Sequence, residues 1–169
     1  EQAEKTRAVK KADAAIIKSI MNLYERKVKE IMLHRKNIIA VDIKSPVYRL
    51  KKMIMLTSFS KIIVYENDLD DIKGAAFVND LLKDPQEIKD IIRPVMFIPE
   101  NASVLTLFKA LQKEKSTIAI AIDEFGGCVG LVTMHDILEL IIGKADDPHD
   151  TQKSDRGIIY RAENRTFIV

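Results

Sequence analysis

The sequence predicts an α+β protein of two β-α-β-β-α lobes, related by a pseudo-twofold axis and preceded by a helix. Three observations carry that reading. The chain of 169 residues has room for one full core or two small lobes. Its apolar residues are aliphatic, with 24 Ile, 13 Leu and 11 Val against an aromatic share of 6% and no Trp. Similar residues also recur 56 positions apart: Ser60 and Ser116, Gly74 and Gly130, Asp80 and Asp136, with Ile62 over Ile118, Val64 over Ile120 and Leu82 over Leu138. The two copies align from about 38–82 onto 94–138 without a gap. A solenoid needs at least about three copies, and each lobe alone is close to the lower size limit of stability. The expected solution is an obligatory pair whose sheets bury each other.

Each element has its own justification. Ala14, Ile17, Met21, Tyr24, Val28, Ile31 and Met32 form one stripe at helical spacing and predict a leading helix over 13–32. Asn37–Ile43 is β-branched and reads as a strand. Ser45 followed by Pro46 predicts the cap and first position of a helix through about Thr57. Lys61–Tyr65 reads as a buried strand, Glu66–Asp71 as a polar turn and Ile72–Val78 as a second strand. Asn79 is expected to cap a short helix that stops before Pro85. In the second copy Val95–Ile98, Thr117–Ile122 and Cys128–Val132 are strands, with a turn at Asp123–Gly127. Asn101–Glu114 is a helix with Val104, Leu105, Phe108 and Leu111 on one face, and Met134–Ile142 a helix that Gly143 caps. The expected bounds are 1–32 for the leading helix, 33–86 and 87–145 for the lobes, and 146–169 for an acidic linker with a short terminal segment.

Composition and charge narrow the function. An apolar fraction of 47% with 31% charged residues is an ordinary globular balance. No apolar run approaches the roughly 18–20 residues a bilayer needs, and no signal-peptide pattern is expected. Cys128, the single cysteine, excludes an internal disulfide, and His34, His135 and His149 are too scattered for a zinc set. The net charge of +2 conceals ten Lys/Arg against five Asp/Glu in residues 1–36, and seven acids against Lys144 in residues 123–150. A basic front end suits an anionic membrane surface or is a solvated helix; without interleaved aromatics it argues against nucleic acid. The run Asp146-Asp147-Pro148-His149-Asp150 lacks the spacing of a calcium loop and reads as a solvated linker, so no metal site is expected. Gly126-Gly127-x-x-Gly130 is not a P-loop, and no Ser, His and acid group as a nucleophile and base would, so no catalytic residue is expected. Cys128, inside a strand, reads as an inert buried thiol.

One pair of side chains admits two readings. Asp136 at a helix start can take two hydrogen bonds from a ribose diol, and the Thr133 hydroxyl can donate to the same sugar or to a phosphate. Equally, Thr-x-x-Asp before an apolar run is a helix-capping signature.

The unit that occurs twice and closes with Gly130-Leu-Val-Thr-Met-His-Asp136 resembles a tandem pair of cystathionine-β-synthase (CBS) domains. The longer string DEFGGCVGLVTMHDILELIIG, residues 123–143, is similar to the regulatory module of hemolysin C/CorC-like membrane proteins, which are implicated in magnesium and cobalt efflux. Val28–Met32 with Arg35, and Ser60–Tyr65, are looser matches, and the likeness covers about 14–150. It implies a membrane domain before this segment and a transporter-associated domain after it, whose first strands residues 157–169 resemble. It also implies a cytosolic module, a homodimer through the CBS pairs, and an adenosine nucleotide, AMP, ADP or ATP with Mg²⁺ as counter-cation, between the lobes. The residues implied for that ligand are Thr133, Asp136, Thr117, Ser116, Ala119, Ile98 and Lys61, with Asp80 and Arg35 as subsidiary candidates. Main chain near Thr117–Ala119 would read the adenine edge. Four departures matter: Phe77 stands where Thr133 does, Lys61 replaces Arg, Ile63 replaces Pro, and Leu33-His34 replaces Thr-Pro. A nucleotide is therefore expected in the second lobe. The rival reading is a nucleotide-independent interaction module whose cleft Phe77 and aliphatics fill; a secreted hemolytic toxin is a third, without a supporting segment.

Overall fold

The computed structural model describes residues 21 and 23–142. Gly143, the acidic run at 146–150, residues 157–169 and the leading stripe before Met21 lie outside the described residues. Two four-stranded sheets face one another, with helices on their outer sides. One sheet has the order β2-β3-β4-β5, comprising β2 (Ala40–Asp42), β3 (Lys61–Glu66), β4 (Asp68–Phe77) and β5 (Ile92–Arg93). The other has β1-β8-β7-β6, comprising β1 (Leu33–His34), β6 (Met96–Pro99), β7 (Ile118–Ile122) and β8 (Cys128–Thr133). β2 runs parallel to β3 and β6 parallel to β7; the remaining pairs are antiparallel. The helices are α1 (Val28–Ile31), α2 (Val47–Thr57), α3 (Val104–Lys113) and α4 (Met134–Ile142). The expected pair of lobes with facing sheets is what forms.

β7 and the inner part of β3 are apolar because both of their faces are covered. Along β7, Ile118 and Ile120 pack towards the opposite sheet while Ala119 and Ala121 pack under the helices. Along β3, Ile63 faces the opposite sheet and Ile62 and Val64 face α2. The layer between the lobes is thus Ile63, Ile72, Ala75, Ile118, Ile120, Cys128 and Leu131, all buried. The aliphatic surplus of the composition is spent there and beneath the helices.

Each lobe lends its edge strand to the other. β1 pairs with β8, placing Leu33 opposite Leu131 and His34 opposite Gly130, although it precedes the first sheet in the chain. β5 pairs with β4, placing Arg93 opposite Ala75 and Ile92 opposite Ala76. This explains the glycine repeat. A Cβ on Gly130 would stand 2.7 Å from the Leu33 carbonyl oxygen, and one on Gly74 2.3 Å from that of Arg93. A bare Cα is needed wherever a lent strand crosses.

Several boundaries differ from expectation. The leading helix breaks at Arg26–Lys27, because the Arg26 carbonyl accepts the Val104 N–H (2.9 Å) and Lys27 bridges to Ser103; α1 then adds one short turn. The strand expected over Asn37–Ile43 shortens to β2, with a 3-10 turn at Arg35–Asn37 before it. Pro46, not Ser45, holds the N-cap position of α2, and Asp42 shapes the approach by accepting the Lys44 N–H at 2.7 Å. The six-residue polar turn collapses to Asn67, whose φ of 68° suits asparagine, and β4 already begins at Asp68. Lys44 and Lys73 on Glu66, and Lys73 on Asp71, let these acids lie extended. Asn79 caps nothing: Val78–Lys83 is a 3-10 helix that starts after Phe77. In α3 the cap is Ser103, whose Oγ accepts the Thr106 N–H at 3.1 Å, and the fully buried face is Val104, Leu107 and Leu111, with Leu105 and Phe108 half-buried.

Candidate functional site

β8 ends where α4 begins, so Thr133 is both the last strand residue and the helix cap. Its cross-strand partner is Ile118, which packs towards the opposite lobe, and neighbours so paired share a face. The Thr133 N–H and hydroxyl both donate to Asp136 Oδ2, each at 2.7 Å, and the Asp136 N–H donates back to Thr133 Oγ1 at 3.2 Å. This reciprocal pair is the capping box that the Thr-x-x-Asp spacing allows. Burial pushes the Asp136 carboxyl above its ordinary range, while the bonds from Thr133 pull it the other way. All three bonds leave Asp136 Oδ1 unused.

The other candidates divide by where their side chains go. The Thr117 carbonyl accepts the Met134 N–H at 3.0 Å, and its exposed side chain stands at the mouth of the same corner. Ser116 Oγ turns inwards onto the Ile118 main chain, donating to its carbonyl at 3.0 Å. Ala119 lies inside the sheet, paired to Met96 on one side and Val132 on the other, and its side chain packs under the helices. Ile98 packs in that same helix-side core. Arg35 donates to Asp70 Oδ1 and, at 3.2 Å, to the Cys128 carbonyl. The structure therefore brings Thr133, Asp136 and Thr117 together at one corner and directs the side chains of Ala119 and Ile98 away from it, which leaves the main chain at Thr117–Ala119 as the expected contact.

The equivalent corner of the first lobe is closed by its own charges. Asp80 is 3% exposed and receives Arg93 Nε at 2.7 Å, Arg93 Nη2 at 2.8 Å and Lys83 Nζ at 2.8 Å. That bidentate fork, with Lys83, holds the Asp80 carboxyl down at about 2. Phe77 occupies the place of Thr133, with Lys61 Nζ 5.7 Å and the Arg93 guanidinium 4.7 Å from its ring centre. Arg93 is the residue that sequence reasoning missed. A signal existed, since Ile88-Lys-Asp-Ile-Ile92 repeats Val28-Lys-Glu-Ile-Met32 at an offset of 60, which marks β5 as the counterpart of β1.

Between the two corners, the facing sheets leave a cavity of about 10 Å³ lined by Ile38, Ile39, Phe59, Lys61, Ile63, Ile118 and Leu131. That is room for about one water. Cys128 is buried, and burial pushes its thiol above the ordinary range. Among the described residues no His, Cys, Asp and Glu group as metal ligands would. Among them, too, no helix is long and apolar enough to cross a membrane.

A CBS-domain family model matches residues 88–143, the half that carries the Thr133–Asp136 corner. The solved CBS domain of a bacterial CNNM/CorC family Mg²⁺ transporter superposes with a TM-score of 0.77 at 33% identity, covering 86% of this chain and 93% of that one. The chain belongs to this CNNM/CorC family of CBS domains. A CBS domain of the bacterial CNNM/CorC family Mg²⁺ transporter in complex with ATP aligns at 34% identity and a TM-score of 0.74, over 78% of this chain and 98% of that one. A CBS-domain pair with bound AMP from Klebsiella pneumoniae aligns at 27% identity and 0.62, over 70% and 100%. Among curated relatives, Hemolysin C of Brachyspira hyodysenteriae is 32% identical over 168 residues, 95% of this chain and 63% of that protein. The magnesium and cobalt efflux protein CorC of Vibrio cholerae is 33% identical over 144 residues, 82% and 50%. This CBS pair thus spans between half and two-thirds of those relatives' lengths.

Proposed function

We propose that this CBS pair is a non-catalytic regulatory module that binds one adenosine nucleotide at its second-lobe corner and so controls a magnesium- or cobalt-moving membrane domain of the same protein. The observation that carries this is the contrast between the two corners. At the second, the three bonds between Thr133 and Asp136 leave the Asp136 Oδ1 oxygen free at the end of the inter-lobe layer. At the first, Arg93 and Lys83 already satisfy Asp80, and Phe77 lies under the Arg93 guanidinium. The ATP-bound relative at 34% identity supports adenosine as the ligand class. Lys61, which lines the cavity, is the cation available to a phosphate.

The cavity of about 10 Å³ between the sheets holds about one water, so the nucleotide would sit at the Thr133–Asp136 corner beside it. The ligand would act by population shift, favouring the arrangement of the lobes that it binds best. The module would lie on the cytosolic face as a homodimer, its leading segment towards the membrane domain, and nucleic acid has no part in the scheme. One observation favours the rival, a nucleotide-independent interaction module: Thr133 and Asp136 satisfy each other as a helix cap.

Calorimetry and thermal shift with AMP, ADP and ATP, with and without Mg²⁺, decide between them. A nucleotide at a hundredfold excess over its dissociation constant stabilises the fold by about 2.7 kcal/mol. Withdrawing Mg²⁺ weakens ATP more than AMP, and Thr133→Ile abolishes binding. Unchanged affinity in that variant removes the site, and no shift with any nucleotide leaves the interaction module.

A further inference from the structure

We infer that the leading segment and the second lobe form one rigid body, and that Arg35 and Asp70 form the clasp that orients the first lobe against it. Among the described residues before Arg35, the bonds that leave the leading segment reach the second lobe. The Val28 N–H donates to the Ala102 carbonyl (3.0 Å), the Lys29 N–H to the Glu100 carbonyl (2.9 Å), and the Arg26 carbonyl accepts the Val104 N–H (2.9 Å). Lys27 bridges to Ser103, and β1 completes the second sheet beside β8. Its buried side chains agree: Leu23 and Val28 belong to the core under α3 and α4, with Ile31 and Met32 packed against it. Although the first lobe follows next in the chain, the segment is built into the second.

The first lobe meets that body through two kinds of contact. The aliphatic layer between the sheets holds them together, but apolar burial is non-directional and tolerates sliding. Direction comes from a three-way junction at the layer's edge. Arg35, the residue after β1, donates to Asp70 on β4 and to the Cys128 carbonyl on β8. Asp70 Oδ1 in turn accepts the Cys128 N–H at 2.8 Å. One carboxylate oxygen therefore ties the first lobe to the leading segment and to the second lobe at once. Its guanidinium partner holds the Asp70 carboxyl below the ordinary range, and the Cys128 N–H adds to that effect. Charged hydrogen bonds of this kind are short and directional. Both side chains are only partly buried, at 39% and 45% exposure, so the clasp can open without disturbing either core. Nothing in this arrangement requires a bound nucleotide.

Spin labels test it in the intact chain with the buried Cys128 replaced by Ala, which leaves the backbone groups of the junction in place. One label pair reports between lobes, at the exposed positions Met55 on α2 and Lys109 on α3; a second, at Lys29 and Lys109, reports the segment against the second lobe. Arg35→Ala broadens the Met55–Lys109 distance distribution and leaves the Lys29–Lys109 distribution unchanged. Asp70→Asn, which keeps an oxygen for the Cys128 N–H and removes only the charge, broadens the first distribution in the same direction by less, and covers the case in which Arg35→Ala does not fold. An unchanged Met55–Lys109 distribution in the folded variants overturns the clasp. Equal broadening of the Lys29–Lys109 distribution overturns the rigid body.

Discussion

Gly74→Ala tests whether the lent strand β5 depends on a bare Cα, and its cost can be worked out in advance. The new Cβ would lie 2.3 Å from the Arg93 carbonyl oxygen and 2.5 Å from Ile92 Cγ2, distances that real Cβ atoms essentially never show. Because the nearest atom is backbone, no rotamer change relieves the contact, and β5 must shift. Overpacking of this kind costs about 1–3 kcal/mol. The φ of 154° at Gly74 disfavours any side chain and adds on the order of 1–3 kcal/mol. The total of about 2–6 kcal/mol is a large part of the 5–15 kcal/mol, roughly, that stabilises a typical domain. Urea unfolding followed by circular dichroism measures it, with Gly126→Ala as the control. Gly126 also has a positive φ, 83°, but nothing lies within 4 Å of its added Cβ, so it isolates the backbone contribution. Gly74→Ala should lose at least about 1 kcal/mol more than Gly126→Ala, and the β5 amides should exchange faster. Equal losses would refute the claim that a crossing strand is what requires the glycine.

Three further outcomes concern the two corners and the helix-side core. Asp80 binds its proton more weakly folded than unfolded, at about 2 against an ordinary 3.8, so it contributes fully above that ordinary value and loses its contribution as pH falls through about 2. The urea midpoint should drop across that window, and Asp80→Asn should flatten the drop. Thr133→Val keeps the shape of the side chain but removes the hydroxyl that Asp136 shares, and should cost about 0.5–2 kcal/mol in a thermal melt; no loss would mean the cap is not structural. Leu107→Ala, at the fully buried centre of the α3 face, should cost about 2–5 kcal/mol by the same melt.

The two-lobe architecture was legible because its signals are long. The offset of 56 spans dozens of residues, and the strands at 61–66 and 118–122 are apolar on both faces. What was not legible was short or non-local. β1 and β5 are two residues each, too brief for strand alternation to mark them, so that only the offset-60 repeat of 28–32 in 88–92 points to them. Asp68–Asp71 read as a turn because its polar residues outweigh one Leu in composition, whereas pairing with β3 keeps the stretch extended. At the corner, Thr133 and Asp136 were found by motif, and of the two readings that motif allowed, their mutual bonds display the helix cap. Strand alternation turns the side chains of Ala119 and Ile98 towards the helices, a direction that composition alone does not mark. Arg93 escaped because its partner Asp80 lies thirteen residues away, beyond any local pattern.

The exchange of β1 and β5 also bears on how such a chain can be divided. Cleavage between the copies, near Pro85, would leave each fragment with an edge strand whose socket is on the other fragment. A solitary copy could complete its sheet only by trading strands with a twin, an encounter limited by concentration. Covalent tandem linkage makes that encounter intramolecular, with an effective concentration no dilution can remove. The duplication is therefore a tether as much as a repeat: it turns what would be an association between molecules into a single folding event.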